Sequence, residues 1–280
     1  MDNHWKDPFL GMEFCFIPSG KMRVMKTNER FRKIDLSGFW IGKYPVTQRQ
    51  WLALMGGNPS HFKRYEYRAQ QWTEWDYIPD QIWNDPYLDC PVDSVTWYEC
   101  MEFVFRLNAL NDQLFRLPTV SEWLHANTYK EPINEETLNL YAWYGENSLS
   151  QTHTVGQKTP NTFGVHDMFG NVCEWCADWF QHDFFDKCAK QDPLCVDNDS
   201  KCRTLCGGSW ESYRASFFDL LISFERPNYA LSANGFRIVC SNPTPQSSGL
   251  SVDLDKKKMR IEFDKLPKKK RVAFESYILK

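Results

Sequence analysis

The sequence predicts an α+β fold with few helices, short strands and a large share of ordered loop. Three observations predict it. Fourteen Gly and fifteen Pro accompany twelve Trp and an aromatic content of 16%, so turns are frequent and large rings fill the core. Three helix-start signals fall within the first half of the chain. Around them lie short apolar runs bounded by Gly and Pro, which read as strands.

The helix starts share one device. Thr47-x-x-Gln50, Thr96-x-x-Glu99 and Thr119-x-x-Glu122 each match the capping box, in which side chains satisfy backbone donors that a helix start leaves orphaned. The first opens TQRQWLALMG, which stops at Gly56-Gly57 and Pro59. The second opens TWYECMEFVFRLNAL, where Trp97, Met101, Val104 and Phe105 share one helical face. The third opens the short TVSEWLHANTY directly after Pro118.

Strands are expected in GMEFCFIPSG, FRKIDLSGFWIGKYPV and NGFRIVCS. The stretch 145–169 is turn-rich and reads as a long ordered loop, the kind of segment that carries function. Two segments look like additions. Residues 63–90 are rich in aromatics and acids, including Trp72 and Trp75, and residues 181–205 are charged. After Ser241, NPTPQSSG reads as a linker into SVDLD, MRIEFDKL and RVAFESYIL. The expected organisation is therefore one domain over 1–242 and a small, basic, β-rich extension over 243–280. Its KKK and PKKKR runs read as turn and edge charges.

With 42% hydrophobic and 25% charged residues the chain is expected to fold. A net charge of −3 gives no whole-chain reason to expect nucleic acid. No run of about eighteen apolar residues exists to span a membrane. MDNHWKDPFLGMEF lacks the pattern of a signal peptide, so a cytoplasmic location with ten reduced cysteines is the expectation.

Six separated motifs, GFWIGKYPVTQRQWLALMGGNPSHF, CPVDSVTWYECMEFVFRLN, FRLPTVSEW, PNTFGVHDMFGNVCEWCADWF, GGSW and NGFRIV, occur in the order seen in formylglycine-generating sulfatase-modifying proteins. The chain resembles that family over about residues 10–242. The resemblance implies a C-type-lectin-like fold: two helices, a small mostly antiparallel sheet and much ordered loop. The family includes copper enzymes that oxidise a substrate cysteine, iron-dependent sulfoxide synthases with a preceding helical bundle, and non-catalytic ligand-binding variable proteins, so the fold does not choose a function.

In the copper enzymes two cysteines five residues apart follow the GGSW motif. The matching positions here are Ser212 and Phe217, neither of which supplies a soft thiolate for copper(I). The six histidines form no cluster in sequence, although His153, His166 and Asp178 could still assemble a weak site in three dimensions. The expectation is a non-catalytic ligand- or protein-binding or scaffold protein on this fold, without the family's copper chemistry and acting through a protein partner. The alternative is a metal-dependent oxidase with non-standard ligands.

GNVCEWCADWF carries a CxxC pair, Cys173 and Cys176, read as core because relatives commonly place tryptophan at the first position. Cys188, Cys195, Cys202 and Cys206 lie within nineteen residues and could hold zinc, form disulfides or stay free. The resemblance also implies a structural calcium ion held through Asp167, Gly170, Val172 and Glu174.

The interval between GGSW and GFR is the expected binding surface, with Glu211, Tyr213, Phe217, Phe224, Arg226 and Tyr229. Phe218 and Ile222 stand there where relatives usually place arginine. The aromatics of 63–90 either join that surface or fold over the domain as a lid.

Overall fold

The computed structural model describes residues 4–27, 31–63, 84–110, 113–219 and 221–240. Trp72 and Trp75, and the whole 243–280 extension, lie outside the described residues.

In chain order the strands are β1 (His4–Lys6), β2 (Glu13–Ile17), β3 (Gly20–Met25), β4 (Phe31–Leu36), β5 (Phe39–Gly42), β6 (Phe115–Arg116), β7 (Ala142–Trp143), β8 (Phe169–Gly170), β9 (Cys173–Trp179), β10 (Arg203–Cys206), β11 (Ile222–Glu225), β12 (Asn234–Gly235) and β13 (Val239–Cys240). The helices are α1 (Gln48–Met55), α2 (Trp97–Leu110), α3 (Val120–Ala126) and the single turns α4 (Leu138–Tyr141), α5 (Phe184–Lys187) and α6 (Ser216–Asp219).

All three capping boxes form. Thr47 accepts from Gln50 N and Thr119 from Glu122 N, each side chain reciprocated. Thr96 and Glu99 exchange the same pair of bonds at the start of α2. α1 ends in a left-handed cap at Gly56, whose N–H donates to the Leu52 carbonyl, a conformation glycine adopts without a Cβ clash.

A five-stranded antiparallel sheet runs β1-β2-β5-β13-β6. A four-stranded sheet runs β11-β10-β9-β12, antiparallel except where β12 pairs with β9. The fold is thus mixed α+β with mostly antiparallel sheets, as expected. The end of the charged 181–205 segment is itself structural: β10 begins at Arg203, and its four residues are all buried.

One core cluster packs Trp51, Trp97, Phe103 and Phe115 on Trp175 and Phe236. A second packs Ile17, Ile34, Phe39 and Trp123 around Cys176 and Cys206. Strand β9 lies between them and is pinned by three indoles. Trp97 donates to the Cys176 carbonyl at 2.9 Å, Trp175 to the Val95 carbonyl at 3.0 Å, and Trp123 to Glu174 Oε2 at 2.7 Å. These three tryptophans supply both apolar area and a hydrogen bond.

Candidate functional site

Strand β9 carries two acids into a solvent-free interior. Glu174 meets Arg237, whose Nε lies 2.5 Å from Oε2 and whose Nη2 lies 2.6 Å from Oε1. The same guanidinium donates to the carbonyls of Gly42 and His166, so one side chain ties three chain segments together. Asp178 accepts from the N–H groups of Val120 and Cys195. Burial pushes its carboxyl up to about 7 against the pull of those two donors.

The positions that match the copper thiols lie beside the GGSW turn. Ser212 Oγ accepts from the Ser209 N–H at 2.9 Å, and its carbonyl accepts from Gly145 N–H. Phe217 is only 3% exposed and packs in a third cluster with Leu138, Ala142, Tyr144 and Phe169. Unlike most of the expected binding surface, Phe217 is therefore buried. Its ring fills the space in front of Gly208, where an added Cβ would come within 2.7 Å of Phe217 Cε1. A phenyl ring and a hydrogen-bonded hydroxyl do not fit a copper(I) site, which wants thiolates.

Next to Phe217 opens a pocket of about 380 Å³ lined by Tyr129, Ile133, Phe169, Phe217 and Phe218, with Lys130, Glu131 and Pro132 completing its wall. Burial raises the Tyr129 phenol well above its usual range, so the hydroxyl stays neutral. This pocket was not legible in the sequence, because its walls come from the loop after α3, from β8 and from α6.

The loop 145–168 has no regular secondary structure, as expected, yet is firmly packed. His153 stacks on Trp143 at 3.8 Å, and Lys158 Nζ sits 3.9 Å from the same ring. His153 Nε2 is bonded to the Ser148 carbonyl and His166 Nδ1 to the Lys158 carbonyl. His153, His166 and Asp178 therefore have separate partners. Among the described residues no group of three or more His, Cys, Asp or Glu is arranged to hold a metal ion.

The four residues expected to hold calcium divide. Asp167 is buried, its Oδ2 accepts from Gly156 N–H at 2.7 Å, and its Oδ1 has no hydrogen-bond partner. Burial pushes its pKa up to about 6. A buried, unpartnered carboxylate oxygen fits a hard cation. Glu174 does not fit that role, because both its oxygens already accept from Arg237, and one also from Trp123. Gly170 and Val172 are buried, and Gly170 donates its N–H to the Gly207 carbonyl.

Of the three alternatives for the clustered cysteines, the structure has them free. All ten cysteines are free, and Cys188, Cys195, Cys202 and Cys206 assemble no metal group. Cys206 faces Cys176 instead, with the two sulfurs 3.7 Å apart. Cys188 and Cys195 pack as apolar side chains in the second core, and Cys202 is half-buried. The CxxC pair is core, as read: Cys176 is fully buried and Cys173 packs on the first core.

The interval between GGSW and GFR presents a largely exposed face. Tyr213 is 81% exposed and Phe224 53%, and Glu211, Phe218, Arg226 and Tyr229 are exposed too. Phe224 stacks on Phe180 at 4.1 Å on strand β11, at the edge of the second sheet.

Comparison with known proteins adds to this geometry. Residues 6–242 match the Sulfatase-modifying factor enzyme 1-like domain. The chaperone protein LppX of Paenibacillus barcinonensis is 30% identical over 213 residues, covering 61% of this chain and 72% of that protein. The serine/threonine-protein kinase pkn1 of Chlamydia pneumoniae is 28% identical over 215 residues; they are 73% of this chain but only 33% of that longer protein. Among solved structures, Treponema denticola variable protein 1 superposes with a TM-score of 0.67 at 26% identity, over 82% of this chain and 95% of that one.

Proposed function

Because the chain belongs to the sulfatase-modifying factor enzyme 1-like family, we propose that it is a non-catalytic member, a binding or scaffold protein that works through a protein partner. One observation carries this reading. Where the family's copper enzymes place the second thiol, this chain has the buried Phe217 beside an aromatic pocket. Apolar and aromatic surface of this kind anchors protein interfaces. The exposed Tyr213, Phe218 and Phe224 continue that chemistry on the outer face. A relative named as a chaperone, LppX, supports a role in handling other proteins. A metal-dependent oxidase is not favoured, since no ligand group gathers among the described residues. A hard cation at Asp167 would serve the loop's structure and take no part in a reaction.

The test has two arms. The copper(I)-loaded protein is incubated with a cysteine-containing peptide and oxygen, and formylglycine above background would overturn the proposal. In parallel, tagged protein is used for affinity capture beside a Tyr213→Asp, Phe218→Asp, Phe224→Asp variant. A stoichiometric partner is expected with the parent chain and absent with the variant. Truncation after residue 242 shows whether the C-terminal extension adds to the contact. Failure to capture any partner, together with co-purifying copper or iron, refutes the binding role.

A further inference from the structure

Cys176 and Cys206 occupy adjacent strands of one sheet. The β9–β10 ladder pairs Cys206 with Glu174 and Leu205 with Trp175, then slips before Arg203 meets Trp179. Alternation along a strand puts Cys176 on the same face as Glu174, two residues away. That makes Cys176 the diagonal neighbour of Cys206. The result is a sulfur–sulfur distance of 3.7 Å, in van der Waals contact. A disulfide requires about 2.05 Å, so closure needs a shift of less than 2 Å between two side chains that already share one apolar pocket.

We propose that Cys176 and Cys206 form a reversible disulfide site across β9 and β10, with a low-molecular-weight disulfide such as oxidised glutathione as the oxidant. The thiolate of one cysteine attacks a glutathione sulfur and releases one reduced glutathione. The second cysteine thiolate then displaces the remaining glutathione from the mixed disulfide. One glutathione disulfide is reduced to two glutathione thiols, two protein thiols become one disulfide, and the thiol protons end on the departing glutathiones.

Both cysteines are fully buried, and burial holds the Cys176 thiol well above its usual pKa. The closed fold therefore resists attack, and exchange proceeds when β10 opens. β10 lies one strand in from the edge strand β11, so such an opening requires only the outer strands to part from β9. The bond would close a loop of about thirty residues, removing conformational freedom from the unfolded chain. It would also fix the strand that leads into Gly207-Gly208-Ser209-Trp210. This inference is independent of the proposed binding function.

The experiment equilibrates the full chain in a series of glutathione redox buffers. Samples are quenched in acid, alkylated, digested and mapped by mass spectrometry. A cross-linked peptide joining Cys176 to Cys206 is expected to appear in a single two-electron transition, with Cys173 alkylated throughout. The oxidised protein should melt higher by on the order of 5 °C. Cys206→Ser should abolish both effects and leave Cys176 alkylated. The mapping of the parent chain stands by itself should that variant fail to fold. The site is refuted if both cysteines remain alkylated in the most oxidising buffer, if either pairs with a different cysteine, or if they end as glutathione adducts.

Discussion

Arg237 and Glu174 form a two-bond ion pair in which both side chains are almost entirely shielded from solvent, at 0% and 1% exposure. Such a pair is costly to break from one side, because the surviving charge is left buried without its partner. Glu174→Gln should destabilise the fold by about 3–5 kcal/mol, read as a lower midpoint in chemical denaturation. Replacing both residues with apolar side chains, Glu174→Leu with Arg237→Met, should recover part of that loss. A single variant as stable as the parent would show that the pair contributes little.

Asp178 makes stability depend on pH. Its folded pKa is raised to about 7 from an ordinary 3.8, so between those values the native state holds a proton that the unfolded chain has released. Its contribution is therefore fully present below about pH 4 and is lost as pH rises through 7. The shift corresponds to about 4 kcal/mol at most. Asp178→Asn cannot titrate. The parent should lose stability relative to the variant as pH rises from 4 to 8. A constant offset would mean that Asp178 is ionised in the fold.

Gly170 has no tolerance for a side chain. Its φ is +73°, and an added Cβ would lie 2.0 Å from the Trp143 carbonyl oxygen across the β7–β8 bridge. Gly170→Ala combines left-handed backbone strain with a backbone clash. The expected result is loss of soluble protein or destabilisation of at least about 3 kcal/mol. Near-native stability would require the two strands to separate.

Asp167 offers the test of a cation. Millimolar calcium should raise the melting temperature of the parent chain, and a chelator should reverse the rise. Asp167→Asn should remove the response, with the size of the effect following ligand linkage. A calcium response that survives in this variant would place the ion elsewhere.

Local rules made much of the fold legible. The capping boxes at Thr47, Thr96 and Thr119 became helix starts because their hydrogen bonds span only three residues. The strands at Glu13–Ile17 and Phe39–Gly42 followed from apolar runs between turns. Strand β9 escaped notice because it buries Glu174 and Asp178, whose partners lie far away in sequence. Arg237 is 63 positions from Glu174, and Val120 is 58 from Asp178. The engagement of Glu174 by Arg237 was hidden for the same reason, since nothing near GNVCEW announces a guanidinium. The four clustered cysteines show the opposite case. Closeness along the chain suggested a shared site, whereas Cys206 points across the sheet to Cys176.

Between Glu211 and Leu231, Phe217 and Pro227 are the buried residues among those described. Apart from Ile222, which packs on the second core, this stretch can change its side chains with little disturbance to the two main cores. Selection acting on this chain is thus free to rewrite its outer face one residue at a time while stability stays nearly constant. The structure separates the part that must be inherited intact from the part that can vary.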